Sequence, residues 1–174
     1  GTGNKEFVQD NAEKLDMENK IAICSELMAE KGLTIAFAES ATAGWLCSEF
    51  ALTEQSGQIL IGDITCYDAS LKVSLLKIPQ SLIDTFTPES MEVTREMAYR
   101  LARLIKADIY VTVTGLTTPG GSETKEKPVG TMFVFALLKD REASFRKVFQ
   151  GSCEDIIHQT ITATAELLID ELRV

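Results

Sequence analysis

Histidine is almost missing from this chain: His158 is the only one in 174 residues. A Ser-His-Asp triad would have to use it, and a histidine-rich zinc site is excluded. The four cysteines, Cys24, Cys47, Cys66 and Cys153, are widely spaced and form no C-x-x-C pair. Neither a zinc cluster nor a disulfide framework is indicated, and reduced, mostly buried thiols are expected. Positive charge is also scarce. With 17 Lys and Arg against 26 Asp and Glu, the formal charge is -9, and no basic block stands out. Binding to a phosphate backbone draws on clustered cations, so nucleic acid is excluded as a main partner. No apolar run is long enough to cross a bilayer, and the opening GTGNKEFVQDN carries no apolar signal segment. No membrane partner and a cytoplasmic location are therefore expected.

What is present is a core: 45% of residues are hydrophobic, enough for a single domain over 1–174, with residues 1–10 expected as a flexible arm. Met17, Ile21, Cys24 and Met28 step by four, three and four, predicting a helix over 11–31 that Gly32 stops. Strands are predicted over 33–38 and 59–67, with helices from Ala43 to about Thr53 and from Ser70 to Leu76. Thr87-Pro88-Glu89 reads as a helix start, a hydroxyl followed by a first-turn proline, for a helix carrying Met97, Leu101 and Ile105. Further strands are expected at 109–114, 131–138 and 143–149. Ser152-x-x-Asp155 resembles a capping box before a helix striped by Ile157, Ile161, Ala165, Leu168 and Leu172. Early alternation of strand and helix, followed by a closing hairpin, predicts a three-layer α/β/α sandwich around a mixed, mostly parallel sheet.

Two turn-rich segments follow strands directly, Glu39 to Gly44 and Gly115 to Gly121, and ligands of such sheets bind at the carboxyl ends of strands. Ser40 stands at a strand-to-helix turn among small residues, where it reads as a helix cap or as a nucleophile. With so little histidine, the base available to a serine is an amine. A Lys72 whose charged form is disfavoured by burial could take the Ser40 proton, while amides at the helix start hold an oxyanion. Read alone, Lys72 is more often a solvated surface charge than a base. Glu39 either orients Lys72 or a substrate, or favours the helix dipole. Pro119-Gly120-Gly121 either cradles a phosphate through its amides or merely turns the chain.

Taken in order, AESATAG, CYDASLK, TGLTTPGG and EKPVGT resemble the CinA C-terminal domain family over about residues 17–172. Stand-alone members of that family are nicotinamide mononucleotide deamidases. The resemblance implies a three-layer fold, a small-molecule nucleotide substrate and hydrolysis of a carboxamide to ammonia, with no metal and no organic cofactor. It also implies homo-oligomers. It makes Ser40 the nucleophile, Lys72 its base and Tyr67 a catalytic neighbour. Glu39, Ala41, Thr42, Ala43, Gly44, Thr114, Gly115, Pro119, Gly120 and Gly121 would line the substrate pocket. Some positions depart from the family pattern: Ala41 and Ala43 replace a Cys and a Gly, Ala69 an Asn, and Thr117-Thr118 an Ala-Gly pair. Ser152-Cys153 stand where Asp-Arg is usual, which removes an arginine expected at the phosphate. An altered substrate preference or a weakened, nucleotide-binding regulatory module is the alternative that these departures imply.

Overall fold

Strand β1 (Ile35–Glu39) is buried along its whole length because it lies inside a five-stranded sheet of order β2-β1-β3-β4-β5. The computed structural model describes residues 3–174, in which the strands alternate with seven helices. β2 (Leu60–Thr65) and β3 (Ile109–Gly115) both pair parallel to β1. β4 (Thr131–Leu137) returns antiparallel to β3, and β5 (Glu142–Val148) antiparallel to β4. Only β4 therefore opposes the other four strands, and the sheet is the mixed, mostly parallel one expected.

The period-2 alternation of strand side chains divides the core into two layers. Ile35, Phe37, Val111, Val113 and Val134 pack against α1 (Gly3–Glu30), α2 (Trp45–Ala51) and α7 (Cys153–Leu172). On the other face, Ala36, Ala38, Tyr110 and Phe135 meet α6 (Met91–Leu104), with Leu76, Ile78 and Ile83 from the segment that precedes it. That segment holds α4 (Ala69–Ser74) and α5 (Gln80–Phe86), and a short α3 (Ser56–Ile59) leads into β2. Among the described residues no helix is long and apolar enough to cross a membrane.

The helix ends follow local chemistry. Gly32, at φ 66°, closes α1 with Leu33 N–H donating to Met28 O at 2.9 Å and Gly32 N–H to Ala29 O at 3.1 Å. The Ser152–Asp155 capping box at α7 forms as read from sequence. Several boundaries differ from expectation. Residues 3–10 are not a separate arm but exposed turns continuous with α1, while residues 1 and 2 lie outside the described residues. α2 starts at Trp45 and not at Ala43, because Ala43 and Gly44 take φ of 50° and 92° and form a left-handed turn first. α5 was not legible. The cap of α6 is Ser90, three residues beyond the Thr87 expected; Thr87 itself adopts φ 71° at the end of α5.

Gly130 joins the long β3–β4 loop to the sheet: its N–H donates to Leu116 O at 2.7 Å and its carbonyl accepts from Phe149 N–H at 2.9 Å. At φ 100° it has no room for a side chain, since a Cβ there would lie 2.0 Å from Phe149 O. Gly130→Ala is expected to cost on the order of 3 kcal/mol through backbone strain and overpacking, measured by urea unfolding; a loss below about 1 kcal/mol would contradict this.

Candidate active site

Alternation along β1 sends consecutive side chains to opposite faces, and this decides what Glu39 and Ser40 can touch. Glu39 points to the α2 side and Ser40 to the α4 side. Strand pairing fixes the surrounding backbone: Ser40 N–H donates to Val113 O at 3.0 Å, and Cys66 N–H donates to Glu39 O at 2.7 Å. The chain then leaves β2 past Cys66 and Tyr67 and enters α4, whose cap Asp68 accepts the Ser70 amide at 2.9 Å. One turn into α4, Lys72 projects back under the end of β1.

There Lys72 Nζ donates to Ser40 Oγ at 3.2 Å and, more weakly, to Cys66 O at 3.5 Å. Lys72 is 1% exposed and Ser40 7%. The two groups that sequence chemistry paired are thus in contact across 32 residues of chain, shielded from water. Burial pulls the Lys72 pKa below its ordinary 10.5, while the nearby Glu89 and Asp68 carboxylates oppose that shift. The shift favours the neutral form of an amine that sits within hydrogen-bond reach of a serine hydroxyl. Among the described residues no protein acceptor takes the Ala41 and Thr42 amides of the turn that follows Ser40. They are donors left over beside the nucleophile position.

Other expected site residues are arranged differently. Glu39, fully buried, faces neither Lys72 nor an open pocket. Its Oε1 accepts from Thr42 Oγ1 at 2.6 Å and Leu46 N–H at 2.8 Å, and its Oε2 accepts from Cys47 N–H at 3.1 Å. Both it and Thr42 are committed to holding the start of α2, so the helix-dipole reading is the one the structure takes. The Leu46 and Cys47 amides are consequently not free to bind an oxyanion. Thr114 is buried with its hydroxyl 2.8 Å from that of Thr94, and is part of the packing between β3 and α6. At Gly115 an added Cβ would lie 2.2 Å from Met132 Sδ, so this glycine serves close strand approach. Tyr67 is 61% exposed, and among the described residues it shares no hydrogen bond with Ser40 or Lys72. His158 packs edge-on against Trp45 with ring centroids 4.9 Å apart, on the α7 side of the sheet.

Pro119, Gly120 and Gly121 are exposed, but the two glycine amides are already occupied. Gly120 N–H donates to Glu123 Oε1 and Gly121 N–H to Glu123 Oε2, each at 2.8 Å. These bonds draw the Glu123 pKa down. The loop is moored by Glu89, which accepts from Ser122 Oγ at 2.7 Å, and by Lys127, whose Nζ donates to Thr87 Oγ1 at 2.7 Å and Glu89 O at 3.0 Å. Sequence reasoning missed Glu89 and Glu123, for which spacing gave no signal. It also missed Asp63, which did leave one: a carboxylate inside the β-branched and apolar run Ile59–Thr65.

The large surface cavities lie elsewhere. A groove of about 460 Å³ between α1 and α2 is lined by Glu18, Ile21, Glu26, Glu49 and Glu54, an acidic set that repels a phosphate. Ser40 and Lys72 line neither this groove nor the cavity of about 420 Å³ between α1 and the start of α7. Both groups are buried, and Ser40 is the nearer of the two to the surface.

An amine with a depressed folded pKa binds its proton more weakly than the unfolded chain does. The unfolded state therefore holds more protons between the folded pKa and the ordinary 10.5, and stability rises with pH across that window. Lys72→Met removes the titrating group. Urea unfolding should show wild type gaining on Lys72→Met as pH rises toward the ordinary 10.5; a pH-independent difference would contradict the burial-driven shift.

The CinA C-terminal domain matches residues 17–172. A CinA-like protein of Desulfotalea psychrophila is 33% identical over 141 residues, covering 81% of this chain and 34% of its own length. One from Endomicrobium trichonymphae is 31% identical over 170 residues, covering 97% of this chain and 39% of its own length. The chain therefore spans little more than a third of these curated relatives. In fold, a crystal structure of a competence-damaged protein (CinA) superfamily protein from Klebsiella pneumoniae superposes with a TM-score of 0.85 at 20% identity, covering 90% of this chain and 98% of that one. A competence/damage inducible protein from Agrobacterium tumefaciens gives 0.85 at 23% identity, covering 91% and 96%. This chain belongs to the CinA C-terminal domain family.

Proposed function

We propose that the chain is an amidohydrolase that converts nicotinamide mononucleotide to nicotinate mononucleotide and ammonia through a Ser40–Lys72 pair. The observation that carries the reading is the buried 3.2 Å contact between Lys72 Nζ and Ser40 Oγ. The neutral amine accepts the hydroxyl proton as Ser40 Oγ attacks the carboxamide carbon. The resulting oxyanion is met by the Ala41 and Thr42 amides. Lys72 then returns the proton to the departing nitrogen, and ammonia leaves an acyl ester on Ser40. Water, giving its proton to Lys72, hydrolyses the ester to the nicotinate carboxylate and restores the serine. Tyr67, exposed just beyond β2, then serves as a substrate contact and not as a proton carrier, a role its exposure supports. No step calls for a metal. Because the base must be neutral, activity should fall on the acid side of the depressed Lys72 pKa.

A second reading, a nucleotide-binding regulatory module without turnover, is favoured by the loop. Glu123 fills the Gly120 and Gly121 amides that would meet a phosphate, and Ser152-Cys153 cap α7 where the family pattern has an arginine. An ammonia-release assay on nicotinamide mononucleotide separates the two. Wild type should turn over, and Ser40→Ala and Lys72→Met should each lose at least about 10³-fold in kcat while remaining folded. Equal rates in wild type and Ser40→Ala would remove Ser40 from the mechanism. Nucleotide binding by calorimetry without turnover would establish the second reading.

A further inference from the structure

Asp63 sits on the edge strand β2, yet it faces inward toward α2. Its register partner is Phe37 and that of Thr65 is Glu39, so Asp63, Thr65 and Glu39 share the α2 face of the sheet. Asp63 Oδ2 accepts only a long 3.4 Å bond from Thr65 Oγ1 and lies beneath the Gly44 backbone, where an added Cβ would come within 3.6 Å of it. Asp63 Oδ1 is buried and, among the described residues, has no hydrogen-bond partner. Glu39, alongside, has the opposite situation, with three donors aimed at its two oxygens and an acceptor site remaining on Oε2.

Charge on two neighbouring, poorly hydrated carboxyl groups is costly, and Glu39 is the one whose oxygens already accept three donors, while Asp63 is half-buried and short of them. We propose that Asp63 is a positioning residue: held protonated, it donates its proton to the Glu39 carboxylate and so fixes the Ser40–Gly44 turn against the first turn of α2. The bond completes the set of donors around Glu39 and relieves the orphaned Asp63 oxygen. Through Glu39, Asp63 holds the Thr42 hydroxyl and the Leu46 and Cys47 amides, which frame the Ala41 and Thr42 donors beside Ser40. This role rests on the amidohydrolase reading for its catalytic consequence, but the proton and the turn it holds exist independently of that reading.

The titratable groups that bear on Asp63 agree with it. Glu39 comes from β1, Cys47 from α2, and Cys66 from the exit of its own strand; none is cationic. Desolvation first, and the Glu39 carboxylate second, push the Asp63 pKa up to about 8, and the Cys47 thiol in the same surroundings is pushed up to about 12.

The test begins with wild type, by carboxyl-carbon NMR between about pH 3 and pH 9. Asp63 should titrate near pH 8, and a midpoint near its ordinary 3.8 would overturn the proposal. Amide exchange then reads the turn. Asp63→Asn supplies a neutral donor and should protect the Leu46 and Cys47 amides as wild type does, whereas Asp63→Leu should expose them at least about tenfold more. Unchanged protection in Asp63→Leu would overturn the positioning role. In ammonia release, wild type should lose kcat as pH rises through about 8, with KM little changed, and Asp63→Asn should lack that alkaline limb. If wild type releases no ammonia, the amidohydrolase reading fails, while titration and exchange still decide the role of Asp63.

Discussion

The Glu39 carboxylate is the constraint on which the site depends. It is wholly buried at the end of a central strand, and a buried carboxylate is costly unless its oxygens are satisfied. The chain satisfies them locally, with a hydroxyl three residues on and two amides seven and eight residues on. To bring these donors around one carboxylate, the backbone must turn sharply, and it does so through the positive φ of Ala43 and Gly44. The same turn presents Ser40 and its following amides on the opposite face. Anchor and nucleophile are neighbours in sequence with separate tasks because a strand alternates its side chains.

On the far face the arrangement works against stability. An amine withdrawn from water next to a hydroxyl and a carbonyl has lost hydration that two long hydrogen bonds only partly replace. The fold tolerates this because the sheet and α6 supply the core around it, and because the Glu89 and Asp68 carboxylates lend negative potential. A lysine whose only purpose was packing would be better replaced by an apolar side chain of the same length. Burial of this amine against a serine is therefore what the proposed proton transfer would need.

Much of this was legible in the sequence. Periodicity gave the strands and the long helices, since Phe37, Val111 and Ile161 each sit on a face that burial dictates. Residue inventory permitted a Ser40–Lys72 pair, with one histidine in the chain, and the resemblance to the family singled it out. The role of Glu39 was not decided by sequence, because orienting a lysine and capping a helix call for the same residue type. Only the face it points to distinguishes them. Thr87-Pro88-Glu89 misled for a similar reason. It has the composition of a helix start, but tertiary contacts with Lys127 fix Thr87 at φ 71° and pass the cap to Ser90. Gly120-Gly121 looked free because their partner, Glu123, lies in the same loop and is revealed only by its folding back.

The central claim is that Lys72 is a neutral base at the pH where the protein works. NMR of the Lys72 side-chain Cε and Nζ as a function of pH reads that proton directly, without substrate. The account predicts a midpoint well below the ordinary 10.5 that moves when Ser40 is replaced by Ala. A Lys72 that titrates at or above 10.5, unaffected by Ser40→Ala, would contradict it.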